Sequence, residues 1–114
     1  MTDSTPLTHI AGRIVVCAYV NDIGNDSKYR KLVARKFAKH LADSAEKLAI
    51  EYAMKRGFAL RVVERDLRVE NDITIVSFFC IPAGKERDLE YEIIEHLGEI
   101  DLDYEAEIFE CKYN

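Results

Sequence analysis

An α+β sandwich is the fold class this chain predicts, and three observations carry it. Segments with strand and helix periodicity follow one another as strand, long helix, strand, strand, short helix, strand. The first and third strands are apolar on both faces, as central strands are, whereas the last alternates on one side only, as edge strands do. The length, 114 residues, suits one core of helices against one sheet and is short for two. The chain therefore reads as a single domain, 1–114, with a polar, disordered tail over 1–8.

Each element has its own signal. Arg13 to Val20 is a β-rich run, apolar at alternate positions of both sets, so it reads as a central strand. Asn21 to Ser27 is a turn rich in Asn, Asp and Gly, whose Asp26 or Ser27 is suited to cap the next helix. That helix is predicted from Lys28 to Arg56, with Gly57 at the left-handed position that ends it. Val33, Phe37, Leu41, Ala45, Leu48 and Tyr52 form its buried stripe, flanked by alanines that permit close packing. Asp43 followed by Glu46 resembles a second capping box, but Lys39, Asp43, Lys47, Glu51 and Lys55 alternate in sign at i,i+4, which favours one continuous and unusually long helix. Phe58 to Arg65 is a strand, continuing toward Val69, with Phe58, Leu60 and Val62 on one face and Arg61, Val63 and Arg65 on the other. A hairpin at Glu70-Asn71-Asp72 leads to the doubly apolar strand Ile73 to Ile81. Glu86 to Leu97 is a shorter helix, buried through Leu89, Ile93 and Leu97 and followed by Gly98. Leu102 to Lys112 alternates Leu102, Tyr104, Ala106 and Ile108 against Asp103, Glu105 and Glu107.

Right-handed crossovers through the two helices place the first and third strands in the middle, giving an antiparallel sheet in the order 4-1-3-2. This βαββαβ arrangement is a ferredoxin-like sandwich, an architecture that serves many functions. Ile14, Val16, Ala18, Leu60, Val62, Ile73, Ile75, Phe79, Tyr104 and Ile108 are expected to face the helices. The opposite face then carries Val15, Cys17, Tyr19, Val63, Thr74, Val76, Phe78 and Cys80, bordered by Arg61 and Arg65. It is too apolar to stay wet, so Val15, Tyr19, Arg61, Val63, Arg65, Val76 and Phe78 are the expected dimer or ligand face, with a homodimer favoured over bound nucleic acid.

Charge is unevenly spread. From Lys85 onward eleven Asp and Glu stand against three Lys and Arg, a net −8 in a chain of −5, leaving +3 for residues 1–84. Glu92, Glu95, Glu99, Asp101, Asp103, Glu105 and Glu107 are the expected acidic surface for a basic protein partner. Lys28, Lys31, Arg35 and Lys39 form a basic stripe on the first helix. Cys17, Cys80 and Cys111 are odd in number, lack a CxxC pair and lie in strands, so they read as buried free thiols. No apolar run approaches a membrane span and no leader pattern opens the chain, so a cytoplasmic protein without membrane contact is expected.

No catalytic set, cofactor motif or metal-ligand spacing assembles: GxGxxG, P-loop and paired cysteines are absent, and His9, His40 and His96 are scattered. An acidic residue after the first strand, Asp22, followed by Lys28-Tyr29-Arg30-Lys31 at the start of a helix, resembles the Cas2 family of small dimeric nucleases over about Val15 to Leu32. The resemblance implies metal-dependent phosphodiester cleavage at Asp22, but here Val20 and Asn21 separate that residue from Tyr19. The expected function is a non-enzymatic binding or regulatory protein, an inhibitor or nucleic-acid mimic acting through its acidic surface. The alternative is a nucleic-acid-binding protein or nuclease using the basic helix and Asp22.

Overall fold

In the computed structural model, residues 12–20, 27–70, 73–99 and 106–111 are described. They form strand β1 (Gly12–Val20), helix α1 (Ser27–Arg56), strands β2 (Arg61–Glu70) and β3 (Ile73–Ile81), helix α2 (Glu86–Leu97) and strand β4 (Ala106–Glu110). The turns holding Asp22, Asp26, Asn71 and Asp72, and the predicted positions Asp101, Leu102, Asp103, Tyr104 and Glu105, lie outside the described residues. The sheet order is β2-β3-β1-β4, antiparallel throughout, which is the expected order read from its other edge.

Helix α1 is continuous over 30 residues, about 45 Å at 1.5 Å per residue. Its end is a Schellman cap: Gly57 takes φ +86°, its N–H bonds the Met54 carbonyl at 3.2 Å, and the Phe58 N–H bonds the Ala53 carbonyl at 3.0 Å. Helix α1 packs on β2 and β3, and α2 packs on β1 and β4. The core between the layers holds Ile14, Val16, Phe37, Leu41, Leu89 and Ile93, all buried. Gly98 stays right-handed at φ −65°, so its conformational freedom is not used.

Register overturns part of the expected face assignment. Ile14 lies opposite Phe78, Val16 opposite Val76, and Ala18 opposite Thr74. Residues directly opposite in an antiparallel pair share a face, so Val76, Phe78, Thr74 and Cys80 belong to the helix side. Val76 and Phe78 are fully buried there and cannot line a dimer or ligand face. Ile73, Ile75 and Phe79, expected in the core, occupy the opposite face, where Ile73 and Ile75 join Val15, Cys17, Phe109 and Cys111 in a second cluster. Because β3 is apolar at nearly every position, its alternation does not choose between the two phases; only pairing with β1 does.

A β-bulge makes the second change. Val62 pairs with Cys80 and Glu64 with Phe79, so Val63 is the extra residue. Past the bulge the parity of β2 reverses, and Arg65, Leu67 and Val69 fall on the helix side. Arg65 therefore leaves the open face and pairs with Asp43 at 2.8 Å and Glu46 at 3.4 Å on α1.

The cysteines provide the third. Cys17 and Cys111 form a disulfide with Cα atoms 5.2 Å apart, and only Cys80 stays a free, buried thiol. Cys17 pairs with Phe109 in the β1–β4 ladder, so Cys111 is its diagonal neighbour on the same face. A disulfide is characteristic of oxidising compartments, so the cysteines lend no support to a cytoplasmic address. Among the described residues no helix is long and apolar enough to cross a membrane.

The bond closes a loop with a sequence separation of 94 residues, for which the chain-entropy model gives at most about 4–5 kcal/mol. Cys17→Ser is expected to cost about 2–4 kcal/mol in urea unfolding, and dithiothreitol to cost wild type the same while leaving the variant unchanged. Thiol titration of the denatured, unreduced chain should find one thiol; three would mean that the bond does not form in solution.

Candidate functional site

The acidic residues meet where α2 lies over β4. Burial of Leu89, Ile93 and Leu97 turns the remaining faces of α2 outward. Along β4, Ala106 and Ile108 pack on the core. The same parity puts Glu110, opposite Val16, on the helix side. A cavity of about 670 Å³ results, lined by Arg87, Asp88, Glu90, Tyr91, Ile94, Glu95 and Glu110. Tyr91, 67 % exposed, stands at its rim.

Glu90 is the anchor of this groove. Strand β4 ends at Glu110, so the next N–H along β1, that of Val15, lies past its reach. The Glu90 carboxylate accepts that N–H at 2.8 Å. Burial raises the Glu90 carboxyl above its ordinary range, the Val15 N–H opposes the rise, and the charges of Glu110 and Glu86 add to it. Glu86 turns back instead and accepts the Gly84 N–H at 2.8 and 2.9 Å. Its side chain lies over Gly12, where a Cβ would collide with it. The groove thus gathers carboxylates, of which Glu90 is fixed by a backbone donor, with an aromatic side chain beside them. Such a set suits Lys or Arg side chains of a partner.

The expected acidic residues divide. Glu95 lines the groove. Glu92 and Glu99 instead bracket His96, at 3.1 and 3.4 Å from its ring nitrogens. Glu107 lies opposite Tyr19 on the other face of the sheet. Asp101, Asp103 and Glu105 are outside the described residues. Glu90, Tyr91 and Glu110 were missed. For Glu110 the signal was available, because it shares the parity of the inward Ala106 and Ile108.

On the open sheet face Val15, Cys17, Ile75 and Ser77 are buried within the single chain, so burial alone does not call for a second copy. Tyr19 is 38 % exposed and Val63, in the bulge, 46 %. Arg61 is exposed at the start of β2, opposite Ile81, and Arg13 lies over the Phe79 ring at 5.8 Å. Cys80 donates to the Gly12 carbonyl at 3.8 Å, and burial pushes its thiol up to about 11, which makes it unreactive.

The basic stripe of α1 is exposed at Lys31, Arg35, Lys36 and Lys39. Among the described residues no group of three or more His, Cys, Asp or Glu is placed to hold a metal ion. No protein-family model, curated protein or solved structure matches the chain.

The acceptor Glu99 raises the His96 pKa above its ordinary 6.5, with Glu92 adding to the rise against a smaller desolvation effect. The folded chain therefore holds this proton more tightly than the unfolded one, and the stabilisation is complete below 6.5 and lost as pH rises through the folded value. His96→Gln should lower the melting temperature at about pH 5.5 and leave it unchanged at about pH 9. An equal loss at both pH values would mean that His96 acts by packing.

Proposed function

We propose that this chain is a small ferredoxin-like binding module that takes a basic protein segment in the acidic groove between α2 and β4. The observation that carries the reading is the convergence of Glu90, Glu95 and Glu110 on one concavity with Tyr91 at its rim. Glu90 is held by the Val15 N–H and so is preorganised, which lowers the ordering cost of binding. Aromatic side chains are common at the anchoring points of interfaces, and Tyr91 supplies one. β4 adds a second element of recognition. Among the described residues it is an edge strand of five residues, bonded on one side, and an extended peptide can lie along the other. Together these favour a Lys- or Arg-rich segment with an extended backbone, bound without chemistry. The chain then acts by occupying its partner's basic surface, as an inhibitor or regulator would.

Charge reversal separates the groove from the net charge of the chain. The double variant Glu95→Lys and Glu110→Lys should weaken binding of a labelled Lys/Arg-rich peptide by at least about tenfold, which is about 1.4 kcal/mol. Glu107→Lys, on the opposite face of the sheet, should change it little. Equal losses per charge at all three positions in fluorescence anisotropy would reduce the effect to bulk electrostatics and remove the groove from the account.

A further inference from the structure

A different surface carries an inference independent of the acidic groove. From Ser27 to Ala42 the chain has six Lys and Arg and no Asp or Glu. That segment is the first half of α1, and α2 does not flank it. Asp88 and Leu89 share a small cavity with Tyr52 and Arg56, and Glu92 hydrogen-bonds Tyr52, so α2 starts beside the end of α1 and runs antiparallel to it. At 12 residues against 30, or about 18 Å against about 45 Å, it stops near the middle of the longer helix.

Val33, Phe37 and Leu41, all buried, fix the rotation of this half. Lys31, Arg35, Lys36 and Lys39 are therefore held outward. Lys31, Arg35 and Lys39 repeat every four residues, roughly 6 Å along the axis. Beside them runs a shallow concavity of about 700 Å³, lined by Arg35, Lys36, Lys39, His40 and Lys47, with Asp43 and Ser44. Its one carboxylate is already engaged: Asp43 pairs with Arg65 across the layers at 2.8 Å, not with the lysines four residues away. No described carboxylate pairs with Lys31, Arg35, Lys36 or Lys39. The lining has no Phe, Tyr or Trp ring on which bases could stack.

We infer that the outward face of the first half of α1 is a docking surface for double-stranded nucleic acid, bound through its phosphate backbone without sequence preference. A rigid row of unpaired cations beside a concavity that offers no stacking ring matches a regular line of phosphates better than it matches a splayed single strand. Contact of four cations with four phosphates implies a salt slope of about −3.6, hence roughly a hundredfold loss of affinity between 50 and 200 mM salt.

The test is fluorescence anisotropy of the full chain with a labelled 20-base-pair duplex, at both salt concentrations. Arg35→Ala with Lys39→Ala, both exposed, should keep the helical circular dichroism and flatten the salt slope by about two. Glu95→Lys with Glu110→Lys should not weaken duplex binding. The inference is overturned by no binding at 50 mM salt, by an unchanged slope in the Arg35/Lys39 variant, or by tighter binding of the matching single strand. Equal affinity for a polyglutamate of the same charge would also overturn it, and would assign the surface to an acidic protein.

Discussion

β1 bonds to β3 on one side and β4 on the other, and the register with β3 determines where the rest of the molecule faces. With Ile14 opposite Phe78 and Val16 opposite Val76, fully buried apolar side chains of both central strands meet under the helices. A slip of one residue would bring Ile75 and Phe79 inward and expel Val76 and Phe78, with similar apolar area on either side. What breaks the tie is volume and polarity at the edges of the core. The chosen phase sets Cys80 against Gly12, where the thiol finds the Gly12 carbonyl. It leaves Arg13 and Phe79 to face each other on the open side.

The weakest part of this frame is β4, five residues long and, among the described residues, bonded to β1 alone. Three devices hold it: the inward packing of Ala106 and Ile108, the helix α2 above it, and the disulfide from Cys111 to the middle of β1. Cys111 directly follows Glu110, so the covalent bond also fixes one wall of the acidic groove. Glu90 finishes the job from the other wall by bonding Val15 where the strand gives out. Structure and candidate site are one construction here, since the group that closes the sheet is the group that carries charge into the groove.

Much of this was legible in local patterns. The element order, the bounds of β3 and α2, the unbroken α1 and its cap at Gly57 follow from periodicity and from a glycine at the required place. What was hidden depends on contacts distant in sequence. The β3 phase is invisible where both faces are apolar. The Cys17–Cys111 bond needs the β1–β4 register, which spans most of the chain. The bulge did leave a trace: Leu60 and Val62 alternate on even positions and Leu67 and Val69 on odd ones, a change of parity that only an inserted residue at Val63 reconciles. In the groove, Glu90 carries no sequence signal, because a Glu beside a buried stripe is commonplace on surface helices.

That single extra residue has consequences for the charged surfaces. With Val63 bulged out, Arg65 points at the helix layer and draws Asp43 and Glu46 toward itself. The i,i+4 ladder suggested by Lys39, Asp43 and Lys47 is thereby broken in favour of a cross-layer pair, partly shielded from water, with Arg65 29 % exposed. A lysine pair on an exposed helix is worth a few tenths of a kcal/mol, so a guanidinium serving two carboxylates at once outcompetes it. The lysines left behind add to the cationic character of the first half of α1, where Lys31, Arg35, Lys36 and Lys39 are exposed and no Asp or Glu stands between Ser27 and Ala42. At physiological ionic strength fields decay over about 8 Å, and the first half of α1 projects past α2. The basic and acidic surfaces therefore keep separate electrostatic fields on one small chain instead of cancelling.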